Sequence, residues 1–113
     1  MAGTSWDRLG QMDQAFELVA PALRRVAQAE GVRLHEFFRD DPVWRLELAP
    51  RTGVDAAVDV SWSEERPEEY TVTLLWWEND ELRREDIGVF TRDRSLDDLE
   101  TMLREAASRL ARR

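Results

Sequence analysis

His35 is the one histidine of this 113-residue chain, cysteine is absent, and all sixteen basic residues are arginine. Catalysis would therefore have to come from carboxylates, hydroxyls and a single imidazole. Without cysteine there is no thiolate nucleophile, disulfide or thiolate metal site. Without lysine there is no Schiff base and no phosphate-loop lysine. A Ser-His-Asp triad would need His35, and no motif marks a serine and an aspartate to go with it. Asp40-Asp41 and Asp97-Asp98 offer paired carboxylates to a hard cation, but calcium loops space their carboxylates alternately around a glycine turn, so both pairs read as turn and helix-cap residues. The five glycines form no phosphate-cradling loop. Glu85 and Asp86 beside Arg83 and Arg84 could serve acid–base chemistry, yet 24 acidic residues generate such pairs by chance, and cross-strand ion pairing is the simpler reading. The expectation is a non-enzyme with no cofactor and no metal.

Charge narrows the partners. The net charge is −8, and the stretch from Trp62 to Glu100 carries all of it, with thirteen acidic residues against five arginines. Glu64, Glu65, Glu68, Glu69, Glu78, Asp80 and Glu81 form the expected acidic surface. Such a surface repels phosphate backbones, whose binding relies on cations that displace counterions, so no nucleic acid partner is expected. No run of eighteen apolar residues and no secretory leader is present, so no membrane partner and a cytoplasmic location are expected. Arginine in place of lysine, with one Ile and one Asn, suggests a GC-rich bacterial origin.

The elements follow from hydrophobic period, within a single domain spanning 1–113. Leu9, Met12, Phe16, Val19, Leu23 and Val26 recur at spacings of three and four, which predicts a helix over 5–30, capped by Thr4 or Ser5, kinked at Pro21 and ended at Gly31. Strict alternation then predicts strands over 43–49 and 54–62, joined by a Pro50-Arg51-Thr52-Gly53 turn. Strands at 69–77 and 82–90 meet at an Asn79-Asp80 hairpin, with the register of 82–90 left open, since one extra residue would exchange its faces. Val32 to Asp41 fits either an edge strand over 32–38 or a helical turn through Phe37 and Phe38, and the strand is favoured. Ser95, with Asp98 three residues on, resembles a capping box for a helix over 96–111, where Leu96, Leu99, Leu103, Ala106 and Leu110 share a face. The expected fold is α+β: a kinked N-terminal helix, a four- or five-stranded antiparallel meander sheet and a C-terminal helix, with both helices on one face of the sheet.

Adjacent tryptophans at the end of the Tyr70–Trp77 strand give this arrangement its functional content. Successive strand side chains point to opposite faces, so Trp76 joins Tyr70, Val72 and Leu74 inside while Trp77 stands on the other face with Thr71, Thr73 and Leu75. Thr73, Leu75, Trp77 and Arg84 are the predicted partner-binding residues, because aromatics and arginine on a flat sheet favour association. The resulting expectation is a non-catalytic protein-interaction or assembly module, either a homodimer or a binder of another protein. Size, acidity and layout resemble small acidic chaperones, antitoxins and immunity proteins, though no motif assigns a family. The alternative is a small enzyme or ligand-binding domain with a pocket between helices and sheet.

Overall fold

The computed structural model describes residues 4–38, 42–48 and 55–111. The Asp40-Asp41 stop, the 50–53 turn and the last two arginines lie outside the described residues, as do the Thr4 or Ser5 cap and the side chains of Leu9, Met12, Phe37, Phe38 and Leu110. The order is α1 (Thr4–Glu30), β1 (Arg33–Phe38), β2 (Pro42–Glu47), β3 (Ala56–Trp62), β4 (Glu69–Glu78), β5 (Glu81–Thr91) and α2 (Leu96–Ala111). The strands form one antiparallel sheet in chain order, β1-β2-β3-β4-β5, and both helices pack on one of its faces. This is the α+β architecture the hydrophobic periods imply.

α1 runs through Pro21, which is exposed, without a break, and Ala15, Val19, Ala22, Leu23 and Val26 make the buried stripe. It stops at Gly31, whose φ of +66° is the left-handed conformation that glycine adopts without a Cβ penalty. There Gly31 N–H donates to Gln28 O (3.3 Å) and Val32 N–H to Ala27 O (2.9 Å), a Schellman ending that satisfies two carbonyls and turns the chain into β1. Pairing of Leu34 with Leu46 and His35 with Arg45 commits Arg33–Phe38 to a strand rather than a helical turn.

α2 starts at Ser95, whose hydroxyl accepts the Asp97 N–H at 3.2 Å. Asp98 does not reach back to complete a capping box; its carboxylate takes the Arg94 guanidinium at 3.4 Å. The acids of the first turn still face the positive end of the helix dipole. The two helices are tied by Arg25–Glu100 at 3.0 Å.

Between helices and sheet lies a core of Leu23, Val26, Leu46, Val58, Val60, Val72, Leu74, Leu99 and Leu103, all buried. Its aromatic spine runs from Phe16 to Trp44 (5.4 Å between ring centres), from Trp44 to Tyr70 (6.3 Å) and from Tyr70 to Phe90 (6.0 Å). Tyr70 Oη donates to Ala15 O at 2.8 Å, pinning the sheet to α1. The Trp44 indole Nε1 is buried with no hydrogen-bond partner among the described residues, so packing alone holds that ring.

The β4–β5 hairpin settles the register that the sequence leaves open. Asn79 (φ 53°) and Asp80 (φ 62°) form a two-residue turn of the left-handed type that matches strand twist, and Trp77 then pairs with Leu82 and Leu75 with Arg84. Continued without interruption, this register would send Phe90 to the same face as Leu82. A bulge between Val72 and Thr73 prevents it: Val72 pairs with Gly88 and Thr73 with Asp86, leaving Ile87 as the extra residue. Phe90 thereby enters the core while Leu82 stays out. On the inner side Gly88 admits α2 closely, since a Cβ there would meet Met102 Cε at 3.1 Å.

Candidate functional site

No described helix or strand covers the second face of the sheet. Its side chains are the alternate members of each strand, and the cross-strand register arranges them in rows. The middle row is polar: His35, Arg45, Asp59, Thr73 and Asp86. Arg45 donates to Asp59 through Nε (2.6 Å) and Nη2 (2.8 Å), a bidentate pair whose carboxylate holds the guanidinium charged, above its already high ordinary pKa. Thr73 Oγ1 donates to Asp86 at 3.2 Å, and His35 Nε2 meets Glu47 at 3.1 Å in the row beside it. The Arg45–Asp59 and Thr73–Asp86 groups are committed to one another, while the His35–Glu47 contact is exposed.

Toward the Asn79-Asp80 hairpin the face turns apolar. One row reads Glu47, Ala57, Leu75 and Arg84; beyond it Trp77 pairs with Leu82, and Trp77 N–H donates to Asp55 O at 3.1 Å. A depression of about 310 Å³ opens here, lined by Arg45, Glu47, Ala57, Leu75, Trp77 and Leu82 among others. Trp76 is only 8 % exposed, whereas Trp77 is 50 % and Leu82 52 % exposed. A second, smaller depression of about 210 Å³ lies on the same face at its other end, between Ser61, Thr71, Val89 and Arg66.

The predicted site residues fall unequally on this map. Leu75, Trp77 and Arg84 do come together at the hairpin end, with Leu75 half-buried and the other two exposed. Thr73 shares their face but is 4 % exposed, flanked in register by Asp59 and Asp86, so it braces the sheet rather than presenting a contact. The predicted acidic surface is divided. Glu64, Glu65 and Glu68 belong to the β3–β4 connection and Glu69 to the first position of β4, whereas Glu78, Asp80 and Glu81 belong to the β4–β5 hairpin, at the opposite end of β4 and about 30 Å away at ~3.3 Å per residue. Glu85 and Asp86 do not pair with Arg83 and Arg84: Glu85 takes Arg109 of α2 at 2.7 Å, Asp86 takes Thr73, and Arg83 turns to Glu81 at 3.1 Å.

No local pattern marks Asp55, Glu47, Ala57 or the Arg45–Asp59 pair as part of this site. Each occupies an outward position in the alternation around β2 and β3, but only the pairing of β2, β3 and β4 brings them beside Trp77. Among the described residues no three His, Asp or Glu side chains are gathered to hold a metal ion, and no helix is long and apolar enough to cross a membrane. Compared with known proteins, the chain matches no family model, and no curated protein or solved structure is significantly similar to it. The fold and the face therefore define only a class: a two-layer α+β protein with one sheet face left open among the described residues.

Proposed function

We propose that this chain is a non-catalytic protein-interaction module that binds through the hairpin end of its open sheet face. The observation that carries the reading is the half-exposed pair Trp77 and Leu82 over a depression floored by Leu75 and Ala57. Burying an indole contributes a large apolar area with few rotors to freeze, which is why tryptophan anchors so many interfaces. The net charge of −8 works against a nucleic acid partner. The alternative, a ligand pocket between helices and sheet, has less support: that layer is filled by the aromatic spine and the buried leucines, and both described depressions open on the uncovered face.

The test is light scattering and affinity isolation of wild type beside Trp77→Glu, with Val89→Glu at the far end of the same face as the control. Loss of self-association or of recovered partner in Trp77→Glu alone supports the reading. Equal mass and equal recovery in all three proteins would remove its basis.

A further inference from the structure

Resting on that reading, we infer that the occupant of the hairpin end is a segment of another protein that presents an arginine beside apolar side chains, not a second copy of this chain. The charges around the depression carry the inference. Asp55 lies next to Trp77, joined to it by the backbone hydrogen bond, and Glu47, whose other contact is His35 Nε2 at 3.1 Å, also lines the hollow. Glu78 accepts only the Trp76 indole N–H (3.2 Å), and neither it, Asp55 nor Asp80 has a cation within ion-pairing distance among the described residues. The nearby cations are mostly spoken for, Arg45 by Asp59 and Arg83 by Glu81, leaving Arg84 at the β5 edge.

An indole face with carboxylates at its margin is chemistry that a guanidinium satisfies twice. Its plane stacks on the ring while its N–H groups donate to the oxygens. Ala57 and Leu75 beneath it offer the apolar floor that side chains flanking such an arginine would cover. A second copy fits poorly, because two-fold pairing centred on Trp77 would set Asp55, Glu78 and Asp80 against their own equivalents. The opposite end of the face lacks the combination: its depression has no exposed aromatic and already contains Arg66, paired with Glu69 at 3.6 Å.

The probes are three acetylated and amidated pentapeptides of alternating leucine and a variable residue, carrying arginine, glutamine or glutamate at the variable positions. Binding is read from the indole N–H resonance of Trp77, assigned among the five tryptophans by its loss in Trp77→Phe. The arginine peptide is expected to move that resonance. Its affinity should fall by roughly tenfold in the double variant Asp55→Asn, Glu47→Gln, and by a similar factor between about 50 mM and about 500 mM salt, as screening shortens the reach of the carboxylates. All three side chains are partly or wholly solvent-facing, so an unchanged circular dichroism spectrum and melting midpoint will show that the variants fold. Equal shifts from the glutamine or glutamate peptide, or none from the arginine peptide, overturn the inference. If in addition light scattering finds a dimer that Trp77→Glu abolishes, the face is still an interaction surface and its occupant is a second copy.

Discussion

The two faces of this sheet are built from the same strands and the same alternation, yet they obey different rules. On the covered side, Trp44, Leu46, Val58, Val60, Tyr70, Val72 and Leu74 leave no polar group other than the Trp44 and Tyr70 heteroatoms. On the open side, the neighbouring positions Arg45, Asp59, Thr73 and Asp86 pair with one another, and apolar exposure is concentrated at the ends, with Trp77 and Leu82 at one and Val89 at the other. The open face is thus a polar surface closed on itself, with its largest apolar exposure at the hairpin. Ordinary surfaces tolerate scattered apolar residues, but an indole and a leucine paired across a hairpin over a hollow are a localised feature that a partner can use.

That contrast can be broken or sharpened by substitution. The largest effect belongs to the covered face: Leu74→Ala, at a fully buried position, is expected to cost about 2–5 kcal/mol in urea unfolding. A loss under about 1 kcal/mol would mean that the two layers are loosely packed. Next comes Tyr70→Phe, which removes the buried hydroxyl's hydrogen bond to the Ala15 carbonyl and should cost about 1–2 kcal/mol.

Tyr70 also sets an alkaline limit. Burial, as the main cause, raises its phenol above the ordinary value near 10, against the opposing pull of Arg92. The folded state therefore prefers the neutral phenol, and its contribution to stability is complete below about pH 10 and falls as the pH rises through the folded-state pKa. Melting curves above about pH 10 should show wild type losing stability more steeply than Tyr70→Phe. Parallel curves would mean that Tyr70 ionises as freely folded as unfolded.

Effects on the open face are smaller. A double-mutant cycle on Arg45→Ala and Asp59→Ala should give a coupling of about 0.5–1 kcal/mol, modest because the Arg45 side chain is over a third exposed and solvent screens the pair. Coupling above about 2 kcal/mol would place this row among the structural elements of the core. Smallest of all, Trp77→Ala should change stability by no more than about 0.5 kcal/mol while removing binding. A large loss of stability there would show that Trp77 serves the fold and would end the contrast between the faces.

Local periods made much of this architecture readable. Spacings of three and four in α1, alternation in β2 and β3, and the pleat that separates Trp76 from Trp77 are properties of short windows. What escaped depends on distance along the chain. Arg109 reaches Glu85 from 24 residues away, and the seven acidic residues expected to form one surface fall into two sets parted by the length of β4. Thr73 carries no local sign that its neighbours in register will enclose it. The site was half legible for the same reason: Trp77 and Leu75 announce themselves by alternation, whereas Asp55 and Glu47 become neighbours only once β2, β3 and β4 are in register.

The extra residue Ile87 gives β5 two independent phases. Residues on its α2 side answer to Gly88 and Phe90, which the helix and the aromatic spine hold in place, while those toward the turn answer to the Trp77–Leu82 pair. The tip is consequently a module that can be rewritten. Exchanges at Leu82 and Arg84 that keep its length would retune what the molecule recognises without touching the Glu85–Arg109 tie to α2, whereas deleting Ile87 would merge the two phases into one regular strand, with Phe90 still inward and Leu82 still outward.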